Sequence, residues 1–376
     1  MTTTGPRPPG EGRLYFLDNL RSAMIALVVL YHAGAVYESS GLFASFWIVD
    51  DPATNDLVGI VNVLVDIVVM PALFFASGYF APPSLARRPG WGFAVHRFRR
   101  LMVPWLLAAA TLVPLYKVVF LASRGLPQEP WTTYFHVGNG ELGQSWLWFL
   151  PVLFVFDVAL WALARLRVRP PRLSMRTAVA GVFALATLYG FAVTYLGGTG
   201  WTKGPLLDFQ NERLGIYFLL FLLGAHVNRL GVLEQAPRGK GLYIGVACTA
   251  WIPINVYIVV LLSLIFRPGA YLVSLGGDLF LLWTAYALSM LALLYLLVGG
   301  FQRWGKGRGR VLRALADNAY GVYVLHVPLL GGLALLLLPV GVPSLLKYAA
   351  VALGTYGLGN LLVSAYRRVR GPAVAA

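Results

Sequence analysis

Apolar runs of about 18 residues or more recur from one end of this chain to the other, each long enough to cross a hydrocarbon core of about 30 Å. They fall at roughly 14–37, 57–81, 101–122, 146–165, 176–197, 213–230, 241–263, 276–298, 318–338 and 345–366. A segment in lipid must satisfy its own backbone hydrogen bonds, so each run predicts a helix. The chain therefore reads as an all-α, polytopic membrane protein with about ten transmembrane helices. The short run 213–230, and the run 345–366 with its lysine and glycines, carry the weakest signals. Nothing between the runs is long enough for a separate soluble domain. The expected organisation is a tail at 1–13, one transmembrane unit over 14–366 and a tail at 367–376. Charge agrees with this: only 12% of the 376 residues are charged, about half the share usual in soluble domains. Ala33-Gly34-Ala35 has the look of a signal cleavage site. The run before it is too long and too polar for a signal core, however, and reads as a retained first helix.

The basic residues orient the bundle. With the connections assigned to alternate sides, 24 of the 30 Lys and Arg fall on one side. The other side holds only Lys117, Arg124, Lys203, Arg213, Arg267 and Lys347. Positive loops stay inside, so both termini are expected in the cytoplasm, with the protein in the plasma (inner) membrane. Topology also accounts for the net charge of +15, and no nucleic-acid partner is expected. The outer connections carry acids and aromatics instead, among them Asp50, Asp51, Trp131, Trp201 and Asp208. That mixture suits carbohydrate, and equally an interfacial aromatic belt. The single cysteine, Cys248, can form no intramolecular disulfide, and no Cys/His cluster has metal-ligand spacing. No metal is expected.

Ionisable groups within spans are costly and are candidates for function. Arg21 and His32 share the first helix at a separation of eleven residues. That spacing puts both on one face, roughly 16 Å apart along the axis. One stripe thus joins an anion-binding cation on the cytoplasmic side to a titratable base in the outer half. A snorkelling arginine and a packed polar histidine would look the same. In the ninth span His326 is expected near mid-depth, with Asp317 as the helix N-cap. Asp66, Asp157 and Asp278 are further intramembrane acids that could partner a histidine or an arginine. Gly78, near the end of the second run, allows close helix contact.

Five segments occur in order: Leu17-Asp18-Asn19-Leu20-Arg21 with His32, Phe74-Phe75-Ala76-Ser77-Gly78-Tyr79, Arg97-x-x-Arg100 with Leu101 and Pro104-Trp105, Trp148-Phe149-Leu150, and Tyr320-Gly321-Val322-Tyr323-x-Leu325-His326. Together they resemble the membrane-bound acyltransferase family 3. Within it they look closest to the glucan biosynthesis protein C group, whose members succinylate glucans. The resemblance implies transfer of an acyl group from cytoplasmic acyl-CoA to a hydroxyl on an extracytoplasmic, usually saccharide, acceptor. It makes His32 the catalytic base or the residue through which the acyl group passes. It gives Arg21, Arg97 and Arg100 the anionic or pantetheine part of the donor. Asp66 is a candidate for orienting His32, and His326 for a second catalytic imidazole. The acyl group and the oligomeric state, homo-oligomer included, stay open. Many relatives add a further span and a soluble hydrolase-like domain, and this chain is expected to act without them, alone or with partners. A multi-span transporter or flippase using Arg21, His32, Asp66 and His326 as its pathway is the rival reading. A binding subunit that has lost its chemistry is a third.

Overall fold

Each apolar run folds as a helix in the computed structural model, which describes residues 14–40, 46–137, 141–142, 144–168, 171–237 and 239–370. The expected tail 1–13, residues 371–376 of the other tail, and short parts of the loops on both sides lie outside the described residues. The helices are α1 Tyr15–Tyr37, α2 Asp56–Arg87, α3 Trp91–Ser123, α4 Ser145–Arg165, α5 Met175–Tyr195, α6 Asn211–Leu230, α7 Lys240–Phe266, α8 Leu275–Trp304, α9 Arg310–Leu337 and α10 Ser344–Arg370. Among the described residues, nine of these are long and apolar enough to cross a membrane. The exception is α6, whose sequence includes Glu212, Arg213, His226 and Arg229. Glu212 and Arg213 are buried, so this helix turns its most costly charges into protein rather than lipid. Strands among the described residues form two short pairs, 136–137 with 141–142 and 201–202 with 209–210, and a single bridge joins Glu38 to Asn55.

Several helices overrun their apolar runs on the basic side. α2 continues to Arg87, α8 to Trp304, and α9 begins at Arg310 rather than 318. Hydropathy marks where the lipid core ends, whereas the backbone ladder continues into the interface, where charged side chains reach water. One expectation is corrected by this. Asp317 does not cap α9 but lies two turns inside it, paired at 3.3 Å with Arg367 of α10.

α1 packs against α2, α8, α9 and α10, and α2 lies along α6. The α2–α6 crossing is close because glycines face backbone on both sides. A Cβ on Gly78 would collide with the Phe221 carbonyl, and one on Gly224 with the Phe75 carbonyl. The small-residue reading of the second-helix motif therefore holds. The two ends of the described chain meet at one face. Asn19 near the start of α1 donates to the carbonyls of Gly305 and Gly307 at 2.7 and 3.1 Å. Asn318 near the start of α9 donates to Ser364 near the end of α10 at 2.7 Å. An even number of passes requires this arrangement, and the buried α6 completes the count.

Candidate active site

A cavity of about 1520 Å³ opens at the face where the chain ends meet. Its rim carries Arg21, Arg87, Arg88, Arg97, Arg100 and Arg313, with Asp18 and Glu234 as the opposing acids. Six guanidinium groups around one recess, against two carboxylates, raise the local potential and attract anions. Farther in, the wall becomes apolar through Ile25, Leu73, Phe149, Leu150, Leu153 and Tyr323.

Local backbone breaks bring the arginines to this wall. In α3 the segment Phe98–Met102 widens into a π turn, with the Val103 N–H bonded to the Phe98 carbonyl. Such turns recur at functional positions. Pro104, just beyond, has no N–H to offer the Arg100 carbonyl four residues back. Tyr320 of α9 supplies a donor instead, its hydroxyl lying 3.0 Å from that oxygen. Arg97 Nε lies 3.2 Å from Asp157 Oδ2 of α4, so that arginine also ties α3 to α4.

Deeper along α1 stands His32, half-buried. Its Nδ1 lies 3.0 Å from Nε2 of His326 on α9. His326 Nδ1 in turn lies 2.6 Å from the Tyr323 carbonyl. A carbonyl oxygen only accepts, so in the neutral pair His326 carries its proton on Nδ1 and its Nε2 accepts. His32 must then donate from Nδ1, which leaves the lone pair on its own Nε2. The second imidazole thus selects the tautomer in which His32 is a base, the part a carboxylate plays in many hydrolytic sites.

Two tryptophans hold this pair. Trp47, from the outer loop, stacks on His32 with ring centres 5.0 Å apart and planes 10° from parallel. Its indole N–H donates to the His32 carbonyl at 3.1 Å. The loop is pinned by Arg124 on the Trp47 carbonyl at 3.1 Å and by the buried Lys347–Asp51 ion pair at 2.8 Å. Trp146, at the start of α4, meets the His326 ring edge-on at 6.5 Å. Its N–H donates at 3.0 Å to the Val324 carbonyl, an acceptor left without its helical donor by Pro328. The Tyr323 hydroxyl closes the arrangement by donating to the Trp146 carbonyl.

Of the residues singled out in the sequence, the structure brings His32 and His326 into contact and sets Arg21, Arg97 and Arg100 around one recess. Asp66 is placed elsewhere: it forms an ion pair with Arg213 of α6 at 2.5 Å. A guanidinium is a stronger partner for a desolvated carboxylate than a neutral imidazole is. Asp278 accepts from the backbone N–H groups of Leu272 and Val273 at 2.7 and 3.1 Å. Trp47 and Trp146 are the additions, and Tyr323, quoted above only as part of a motif, gains a place in the site. Sequence spacing holds no signal for Trp47, which reaches His32 only through the fold of its loop. Among the described residues no three His, Cys, Asp or Glu side chains gather as metal ligands.

A family model described as an acyltransferase domain, that of acyltransferase family 3, matches residues 14–363. Neither the curated proteins nor the solved structures yield a match to this chain, so the likeness to the glucan-succinylating group has no named relative behind it.

Proposed function

The chain belongs to acyltransferase family 3 and is a multi-pass membrane acyltransferase, and we propose that it moves an acyl group from cytoplasmic acyl-CoA to a hydroxyl of an extracytoplasmic saccharide or glycoconjugate across the plasma (inner) membrane. The observation that carries this reading is the position of His32. It lies on the same stripe as Arg21, roughly 16 Å farther along α1, beyond the apolar inner wall of an arginine-rimmed recess. The rim suits the phosphates of coenzyme A, and the apolar wall suits its pantetheine arm. Eleven helical residues are a distance for that arm to bridge, not for a side chain.

In this scheme the acceptor hydroxyl gives its proton to His32 Nε2 as its oxygen bonds to the acyl carbon. The carbon–sulfur bond of the thioester then breaks, and the proton passes from His32 to the departing thiolate. An imidazole suits both steps because one nitrogen can take up a proton and give it back. His326 keeps Nδ1 of His32 occupied throughout and disperses the positive charge that forms between them. Membership of this family favours such chemistry over a transport pathway built from the same polar residues.

The test is acyl transfer by the purified chain in lipid nanodiscs. Radiolabelled acetyl-CoA or succinyl-CoA is supplied with mixed saccharide acceptors, and wild type is compared with His32→Ala. Label is expected on the acceptor with wild type and not with the variant. Equal labelling by the variant would remove His32 from the role of base. No turnover of either donor by folded wild-type protein would overturn the donor assignment.

A further inference from the structure

A second group of buried polar side chains adjoins the histidine pair and has no part in the scheme above. Arg213, near the start of α6, pairs through Nη1 with Asp66 of α2 at 2.5 Å and places Nη2 3.5 Å from the Tyr257 hydroxyl. Its guanidinium lies 5.1 Å from the centre of the Tyr286 ring. The Arg213 side chain is only 10% exposed, yet its Nε has no hydrogen-bond partner, and neither does the buried Tyr286 hydroxyl. Buried polar atoms are nearly always satisfied, so the polar capacity of this cluster is not used up by its one ion pair. Asp66 keeps 27% of its side chain exposed although it faces an arginine within the bundle. The pair therefore borders open space rather than a closed core.

Aromatic rings link this cluster to the outer loops. Tyr217 lies one turn beyond Arg213 on α6 and stacks on Trp148 at 5.9 Å. Trp148 meets Trp201 edge-on at 5.4 Å, and Trp201, in an outer strand pair, is 48% exposed. Two neighbours of this cluster contact the histidines. Trp148 is two residues from Trp146, which abuts His326. Tyr31, next to His32 in α1, lies within electrostatic reach of Asp66 and edge-on to the His32 ring at 5.4 Å.

Flat aromatic faces beside a net-neutral carboxylate–guanidinium pair match a sugar ring. Its C–H face stacks on indole, and its hydroxyls both donate to Asp66 and accept from Arg213. An acyl chain would leave those polar atoms unsatisfied, and a pair already neutral offers an anion little. We infer that Asp66, Arg213, Trp148 and Trp201 form the acceptor subsite, holding a neutral saccharide from the outer side so that one of its hydroxyls faces His32. The inference deepens the acyltransferase reading and rests on it.

Isothermal titration of the full chain in nanodiscs, with cellotetraose and maltotetraose as probes and acetyl-CoA titrated in parallel, tests it. Trp201→Ala alters an exposed ring and spares the core, while Asp66→Asn preserves the shape of the buried site. Both are expected to weaken binding of at least one tetrasaccharide ten-fold or more, with the Kd for acetyl-CoA moving less than two-fold. Three results overturn the inference: no tetrasaccharide binding by wild type, unchanged affinity in either variant, or equal weakening for acetyl-CoA. His32-dependent acyl transfer, assayed on the same preparations, reports on the acyltransferase reading separately and is compatible with all three.

Discussion

His326 Nε2 faces His32 Nδ1 at 3.0 Å, and the Tyr323 carbonyl holds the other nitrogen of His326 at 2.6 Å. Two residues separated by 294 positions in sequence therefore share one hydrogen-bond chain whose direction is set by a backbone oxygen. If this chain fixes the reactive tautomer of His32, His326→Phe should lower kcat by about 10²-fold or more, the range in which positioned acid–base groups act. His326→Gln, which keeps an acceptor, should recover part of the loss. Steady-state kinetics with saturating donor decides this, and a phenylalanine variant with full kcat would remove His326 from the site.

The stack of Trp47 on His32 is a separable contribution. Aromatic stacking adds about 0.5–1.5 kcal/mol beyond area burial, and roughly 1.4 kcal/mol corresponds to a tenfold change in rate. Trp47→Ala should thus lower kcat by about 2- to 10-fold with little change in donor KM. Trp47→Phe keeps a ring but not the N–H that reaches the His32 carbonyl, and should fall between the two. A donor KM that rises as much as kcat falls would assign Trp47 to binding instead.

The arginine rim should control donor affinity. Hydrogen bonds to charged groups contribute about 1.5–3 kcal/mol, so Arg21→Gln or Arg100→Gln should raise the acyl-CoA KM by about 10-fold or more. The wild-type KM should also rise with ionic strength, because attraction between a basic rim and an anionic donor is screened by salt. Measuring KM from low to high salt for wild type and each variant checks both statements. A KM indifferent to salt and to both substitutions would place the donor elsewhere.

The α2–α6 crossing makes a stability prediction. Alanine at Gly78 or Gly224 puts a methyl group into the opposing backbone, and overpacking of this kind costs about 1–3 kcal/mol. Both variants should lose thermal stability in detergent. Gly181→Ala on α5, where a Cβ meets nothing within 4 Å, should not. Equal melting of all three would show that the crossing tolerates a wider separation.

The Lys347–Asp51 pair, 3% and 0% exposed, anchors the loop that carries Trp47. Breaking a buried pair from one side costs about 3–5 kcal/mol, whereas replacing both partners by apolar residues is often neutral. Lys347→Met should therefore lower the melting temperature sharply, and the double variant Lys347→Met with Asp51→Leu should regain most of it. Thermal unfolding followed by tryptophan fluorescence distinguishes the two. A double variant as unstable as the single one would mean that the ion pair itself, not the avoided burial of a lone charge, holds the loop.

Much of this protein follows from its sequence because the lipid phase acts on short stretches of chain. An apolar run must become a helix wherever it lies, and the basic loops favour one orientation of the set whichever helices touch. The eleven-residue spacing of Arg21 and His32 needs only the geometry of one helix, and Gly78 announces a close contact without naming its partner. Helix ends were less legible, as Asp317 inside α9 illustrates, since hydropathy follows the lipid boundary and hydrogen bonding does not. What only the tertiary structure decided is which polar group meets which. Asp66 was open to a histidine or an arginine until α6 brought Arg213 beside it. His32 and His326 became one unit through the packing of α1 on α9, and Trp47 joined them because its loop is tied to α3 and α10. Pairings of this kind cost little to specify locally and depend on contacts distant in sequence, so they arise only when the whole bundle closes.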